Sequence, residues 1–434
     1  MAVRIAAANI PQDFKLRIHK DLKVTGKKKG QNKSRIAEID GFKIDPNTNI
    51  YSIPLQYSKT IFNIKLNVVN VDFKIQPYRF RNEEYCKQEP VYTEAMTQLK
   101  QTGSVFLQLH CGWGKTFMAI VLAAELGLRT MVLVHRRFLA RQFMEEGSRI
   151  IPNQMYFIDD KDMSFDQNLQ FYICTEDKAM KLPEDFRKTF GLMIVDEAKY
   201  WCTPKRVSAM LQFYPTHTMG LCAERERKDG YHVFLDHFFG HNIFRMSCKP
   251  FKVWKYYTAF APEIRKPEGF SKAKIDWSFA MRSIAENELR NIFLRDLLRV
   301  FASSKIMVFL ALTDHVDILY DMLLAVGESV GKFYKSMDTF ANCRILITTY
   351  SKAEMGFDDK NLCEDFDGQR FDMVLLGAFY KEEIEQTAGR VFRALAPSVL
   401  DVVDNYPSLH KHSKTRDKWF KSRRGMIMPP EYIW

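Results

Sequence analysis

Two glycines, a lysine and a threonine close the stretch Ser104-Val-Phe-Leu-Gln-Leu-His-Cys-Gly-Trp-Gly-Lys-Thr116. Residues of these types in this order can cradle a polyphosphate. Gly112 and Gly114 let backbone N–H groups turn inward on an anion, and Trp113 sits in the loop between them. Lys115 can reach β- and γ-phosphates, and the Thr116 hydroxyl can hold Mg²⁺, so ATP with Mg²⁺ is the expected ligand. Leu109 stands where the G-x-x-x-x-G-K-[ST] pattern has its first glycine. A second set follows the apolar run Leu192–Val195, where Asp196 and Glu197 are adjacent. At the carboxyl edge of a buried strand such a pair faces the nucleotide, Asp196 to hold the metal and Glu197 to orient and polarise the attacking water. A third set is Gln386, Arg390 and Arg393, spaced to share one face of a helix. Arginines directed across a cleft can stabilise charge on the γ-phosphate in the transition state.

These groups need a scaffold that brings distant segments together. The run Val105–Leu109 reads as a buried strand and Phe117–Leu126 as the helix after the loop. Strands are expected at Thr130–Val134, Phe171–Thr175, Leu192–Val195 and Thr218–Leu221, with a helix over Arg136–Glu146. A second alternating series begins with helical Met281–Phe301 and continues with strand Ile306–Leu312 and helix His315–Val326. Strands Arg344–Thr349 and Met373–Leu376 and the helix Ile384–Ala394 complete it. Alternation of this kind marks parallel α/β sheets, and two series imply two stacked lobes with a cleft between them. Residues 1–82 carry strand-like pieces at Phe14–Ile18, Ile50–Leu55 and Phe62–Ile75 and read as a small β-rich accessory domain. The expected domains are therefore 1–82, 83–262 and 263–434.

At 434 residues the chain exceeds one ordinary core, and 46% hydrophobic residues with 13% aromatic leave no sign of a disordered protein. No apolar run reaches the ~20 residues of a membrane span, and the N-terminal residues make a poor signal peptide. A soluble intracellular protein with no membrane partner is the expectation. None of the eight cysteines forms a C-x-x-C pair, which suits free thiols in a reducing compartment. The net charge is +12, and residues 1–82 hold sixteen Lys and Arg against six Asp and Glu. That asymmetry favours a polyanionic partner, nucleic acid above all, and Lys27, Lys28 and Lys29 form its most concentrated run. The same run also fits a nuclear-localisation patch. His232, His237, His241 and Cys248 match no common zinc spacing. The basic segment Lys411–Arg424, with Trp419 and Phe420 interleaved, suits either a nucleic-acid track or a solvated helix.

Taken in order, the motifs resemble those of superfamily 2 helicases, particularly the poxvirus late-transcription type of large DNA viruses and the UvsW/XPB-type translocases. The resemblance covers roughly residues 83–424. Gln88 lies at the spacing of the family's adenine-recognising glutamine, and Gly112, Gly114, Lys115 and Thr116 resemble motif I. His135, Arg136 and Arg137 resemble motif Ia and Thr175 motif Ib, where the family contacts the nucleic-acid backbone. Asp196-Glu197-Ala198-Lys199 is similar to motif II, and Met219–Gly230 to motif III with an R-x-D-G extension. Gly356 and Asp358 lie in a motif V-like segment, and Gln386, Gly389, Arg390 and Arg393 resemble motif VI. Two positions depart from the pattern. Lys199 replaces the usual His of motif II, and Cys222-Ala223-Glu224 replaces the hydroxyl-bearing triplet of motif III.

The resemblance implies two tandem RecA-like lobes behind a basic β-rich N-terminal domain, and an ATP-dependent helicase or translocase acting on DNA, with RNA left open. It also implies transcription or virion proteins as partners, in host cytoplasm or virion. A rival expectation is a nucleic-acid-binding transcription or packaging subunit that keeps ATPase without strand separation. The altered motif III is the feature that favours it. A P-loop kinase would have no use for a second α/β lobe carrying a Gln/Arg helix.

Overall fold

In a computed structural model, residues 1–26, 38–62, 64, 66–159, 166, 168–241, 243–245, 249–265, 276–353, 357, 359–377 and 384–433 are described. The chain divides into two compact units, Met1–Met246 and Ser247–Trp434.

The first unit is built on a seven-stranded parallel sheet. Its strands run in the order Met155–Ile158, Phe171–Thr175, Thr130–Val134, Leu192–Val195, His217–Cys222, Ser104–Gln108, Ile243–Arg245. The central strands are apolar on both faces because both are covered. Val105, Leu107, Val132, Val134, Leu192 and Ile194 pack into one core, while Phe106, Met131, Leu133, Met193 and Val195 pack into another. The alternation along each strand is the period of two that a pleated backbone imposes.

Residues before the sheet form no separate unit. Strands Ala2–Ala6, Ile50–Pro54 and Lys43–Asp45 make a small antiparallel sheet that, with Ile18, Leu22 and Phe42, encloses its own core. The Ala2 N–H donates to the Phe213 carbonyl at 2.7 Å, and Tyr57 stacks edge-on against His237 of the large sheet's flank. The expected accessory domain is thus part of the first unit. Phe14–Ile18 is no strand either, since Gln12–Asp21 is a helix. Only Ile18 of that helix is buried and Leu16 stays 65% exposed, so the alternation of Phe14, Leu16 and Ile18 is not a pleat. Phe62–Ile75 is not a strand among its described residues: Val71 instead bonds to Gly127, and Gln76 just past the span bonds to Ile150, along the sheet's flank.

The second unit carries an eight-stranded parallel sheet. Val330–Phe333, Ile345–Thr349, Ile306–Leu310, Met373–Leu376, Ser398–Val403, Phe251–Thr258 and Gly425–Ile427 follow in order, and Glu431–Ile433 also pairs with Phe251–Thr258. The expected boundary after residue 262 is therefore corrected: Phe251–Thr258 lies in the second sheet, in register with Ser398–Val403. That register sets Lys255 opposite Asp401 inside the core, where Asp401 also receives Arg416 at 2.7 Å. Arg416 belongs to the helix Pro407–Ser422, which these buried charges fasten to the sheet. The helical span Met281–Phe301 is two helices, Trp277–Glu286 and Glu288–Val300, because Asn287 caps the second through the Arg290 N–H. Among the described residues no helix is long and apolar enough to cross a membrane.

Candidate nucleotide site

The strand Ser104–Gln108 hands over to the helix Lys115–Leu126 through residues 109–114. Gly112 and Gly114 have φ of +79° and +100°, values that glycine adopts without a side-chain clash. Gly114 is the N-cap and no side chain caps the helix, so its first amides are left without a side-chain acceptor, as an anion site needs. Trp113 is fully buried and works as a structural plug of the loop. Gln88, at the start of helix Gln88–Thr102, accepts from the Arg81 N–H at 2.9 Å and donates to the Trp113 carbonyl at 3.1 Å. Arg81 also donates to the Gly112 carbonyl at 3.0 Å. In this structure the Gln88 amide therefore braces the loop from behind, and Arg81 is a site residue that sequence reading missed. Its signal was weak: one arginine in a basic segment.

Lys115 donates to the Leu109 carbonyl at 3.1 Å. Desolvation works against its charge, but Cys111, Glu197, Asp196 and Cys222 outweigh it and hold the ammonium above its usual range. Asp196 and Glu197 leave the strand Leu192–Val195, with His217–Cys222 between it and the loop strand. Burial, then repulsion from Glu197, pushes the Asp196 carboxyl up to about 7, with Lys115 pulling the other way. A buried acid short of positive charge, one strand from a loop with open amides, suits Mg²⁺ carried by a triphosphate. Asp196 and Thr116 would hold that ion, which would supply charge neutralisation between phosphates. Glu197 adopts the left-handed region at φ +46°, ψ 52°, a conformation that a non-glycine residue holds at a cost.

Past Glu197 the turn Ala198–Trp201 meets the segment that follows His217–Cys222. Lys199 pairs with Glu224 at 3.0 Å, Cys222 Sγ lies 3.8 Å from Glu197 Oε2, and Arg227 donates to the Lys199 carbonyl at 2.7 Å. Neither departure from the motif pattern stands alone.

The residues expected to touch nucleic acid differ among themselves. His135 packs against Tyr200 with ring centroids 4.9 Å apart, and burial, opposed by Glu197, brings its pKa down to about 4. It is a neutral ring on the flank of the Glu197 turn. Arg136 is exposed, Arg137 is paired with Asp159 at 2.9 Å, and Thr175 ends its strand partly exposed. Lys27, Lys28, Lys29, Gly356 and Asp358 lie outside the described residues. His232 pairs with Glu226, His237 packs among Tyr57 and Phe234, and His241 meets Asp236, so the three serve separate neighbours; Cys248 is outside the described residues.

In the second unit the expected helix Ile384–Ala394 is corrected. A four-residue helix, Glu385–Ala388, gives way to a 3₁₀ turn, Val391–Arg393. Gly389 is a poor helix former, and burial of Ala388, Val391 and Phe392 draws the turn into the core. Arg390 donates to the Phe357 carbonyl at 2.9 Å and Arg393 is partly exposed, while the Gln386 side chain is outside the description. A single α-helical face for Gln386, Arg390 and Arg393 is not formed.

Residues 81–225 match the family model described as type III restriction enzyme, res subunit. The chain is 31% identical over 344 residues to "Putative helicase 055L" of Frog virus 3 (isolate Goorha), covering 76% of this chain and 75% of that one. It is 28% identical over 410 residues to "Putative helicase 161L" of Invertebrate iridescent virus 6, covering 86% and 88%. The structure of S. cerevisiae Dbp5 bound to RNA and ADP BeF3 is similar with a TM-score of 0.53 at 14% identity, covering 78% of this chain and 89% of that one. That likeness is one of fold: parallel sheets flanked by helices, in two RecA-like lobes.

Proposed function

Because this chain belongs to the superfamily 2 helicases, we propose that it hydrolyses ATP to move along, and separate, strands of DNA. The observation that carries the reading is the meeting of Lys115, Asp196 and Glu197 around one corner of a parallel sheet, at a helix start with open amides. ATP binds there with Mg²⁺: Lys115 takes the β- and γ-phosphates, Thr116 and Asp196 hold the ion, and Glu197 orients water against the γ-phosphate. Arg390 and Arg393 have the chemistry to stabilise charge developing on a γ-phosphate, and the energy of hydrolysis drives stepping. The motif resemblance assigns Gly356, Asp358 and Gln386 to nucleotide binding as well. Nucleic acid is held through its phosphates by Arg136, Thr175 and the basic N-terminal run that includes Lys27, Lys28 and Lys29. The outward lysines of Pro407–Ser422 (Lys411, Lys414, Lys418 and Lys421) extend the contact. The relatives from Frog virus 3 and Invertebrate iridescent virus 6 support reading the chain as a viral protein, and a role beside transcription or virion proteins in host cytoplasm or virion is part of the same proposal.

Lys115→Ala is expected to lower nucleic-acid-stimulated ATPase by about a hundredfold or more while the thermal transition stays in place. Unchanged stimulated turnover would overturn the site. Rates with single-stranded DNA, duplex DNA, a branched substrate and RNA decide the substrate, since the structural neighbour Dbp5 was seen bound to RNA. A second reading, favoured by Cys222-Ala223-Glu224 in place of the hydroxyl triplet, is an ATPase subunit without strand separation. Hydrolysis and binding without displacement of a tailed duplex would select it.

A further inference from the structure

We infer that the nucleotide site reads the triphosphate and not the base, so that the chain hydrolyses nucleoside triphosphates of any base. Gln88 is then a positioning residue of the phosphate loop rather than a reader of adenine. The inference rests on the ATPase reading above and sets the substrate class of that same site.

A glutamine singles out adenine by presenting its oxygen and its N–H together to one edge of the base, so both ends of the amide must be available. In this chain both ends are engaged elsewhere. The Gln88 Oε1 accepts from the Arg81 N–H at 2.9 Å, and its Nε2 donates to the Trp113 carbonyl at 3.1 Å. The backbone N–H of Gln88 donates in return to the Arg81 carbonyl at 3.0 Å. These two bonds between residues 81 and 88 close the foot of a hairpin in which Asn82–Glu83 pairs with Cys86–Lys87. Gln88 is only 2% exposed, and its Nε2 lies so close to Gly114 that a Cβ there would be 2.6 Å away. Turning the amide onto a base would strip the Arg81 N–H of its acceptor and loosen the hairpin. Each buried group left unpaired in this way weighs against the change.

What the segment does instead is visible at Trp113. Its carbonyl accepts from Gln88, from the Cys86 thiol at 3.3 Å and from the Arg81 guanidinium, which also reaches the Gly112 carbonyl at 3.0 Å. Three donors on one carbonyl fix the plane of its peptide. In a trans peptide the N–H points the opposite way, and the N–H of this one belongs to Gly114, the N-cap of Lys115–Leu126. The donors therefore aim a loop amide away from themselves, and by polarising the carbonyl they make that amide a stronger donor to phosphate. Arg81, Cys86 and Gln88 all reach backbone carbonyls of the loop, and such contacts carry no information about the base.

The test measures kcat/KM for ATP, GTP, CTP and UTP on the full chain with DNA present, and inhibition by inorganic tripolyphosphate and by adenosine. The four constants are expected to lie within about tenfold of one another, whereas a site built on hydrogen bonds to one base rejects the others by about ten-thousandfold. Tripolyphosphate should compete with ATP at concentrations where adenosine does not. Gln88→Ala should raise KM for all four substrates, and Ki for tripolyphosphate, by a common factor of about threefold or more, the mark of a lost contribution to phosphate binding. A parent that prefers ATP by more than about tenfold, or that adenosine inhibits as well as tripolyphosphate, overturns the inference and leaves the ATPase reading standing. A smaller rise in Gln88→Ala, or a loss confined to ATP, also overturns it. If Gln88→Ala fails to melt cooperatively, Arg81→Met, at an exposed residue, carries the same expectation, and the parental substrate panel needs neither variant. A chain that hydrolyses none of the four triphosphates overturns the ATPase reading and this inference together.

Discussion

At Gly114 the nucleotide loop has no room for one further carbon. A Cβ there would lie 2.6 Å from Gln88 Nε2 and 3.0 Å from an Arg81 guanidinium nitrogen, at a φ of +100° that other residues rarely hold. Gly114→Ala must displace the Gln88–Arg81 brace that fixes the Trp113 carbonyl. We expect the KM for ATP to rise by about tenfold or more, because misplacing a binding group by an ångström is costly. Steady-state ATPase with a parallel thermal melt separates that from loss of fold. The contrast with Lys115 shows what sequence carries at this scale. Gly112, Gly114, Lys115 and Thr116 announce themselves within five residues, since backbone and side chains of one turn make the cradle. Arg81 and Gln88 brace it from another segment, and the partners of Gln88 emerge only when the loop is seen packed against it.

Elements were legible where they are buried and uncharged. Thr130–Val134, Phe171–Thr175, Leu192–Val195 and Met373–Leu376 begin and end as their apolar runs do. Phe251–Thr258 and Ser398–Val403 were not legible, because Lys255 and Asp401 interrupt them, and a charge inside a strand normally argues for a surface. What makes these charges tolerable lies elsewhere in the chain, on the helix Pro407–Ser422. Arg416→Met should therefore destabilise the second unit by about 3 kcal/mol, leaving Asp401 buried with Lys255 at 3.5 Å as its remaining charged partner. A urea titration reads this directly, and an unchanged midpoint would show that the network is dispensable. The helix around Arg390 failed for a different reason: the spacing of Gln386, Arg390 and Arg393 is helical, but Gly389 and the buried Val391 and Phe392 end the α-helix before the arginines.

For the molecule as a whole, four histidines set a limit on the acid side. Burial lowers the pKa of His135, His217 and His237 to about 4 and that of His315 to about 3. Each folded value lies below that of the unfolded chain, near 6.5, so unfolding takes up protons as the pH falls. Their contribution is complete above about pH 6.5 and is lost on the way down toward 4. Asp196 works in the opposite sense: its folded pKa, raised to about 7, penalises the folded state at neutral pH and relents on acidification. Four groups against one predict a lower urea midpoint at pH 5.5 than at pH 7.5 in the absence of nucleotide. An equal or higher midpoint at pH 5.5 would show that these rings are not held neutral. Glu197 has a consequence on the same scale. Its left-handed backbone burdens the resting protein by about 1 kcal/mol, a burden that glycine would lift. Glu197→Gly should therefore melt later than the parent and turn over no ATP, two opposite readings from one site. Ruggedness has been given up at the spot where the work is done.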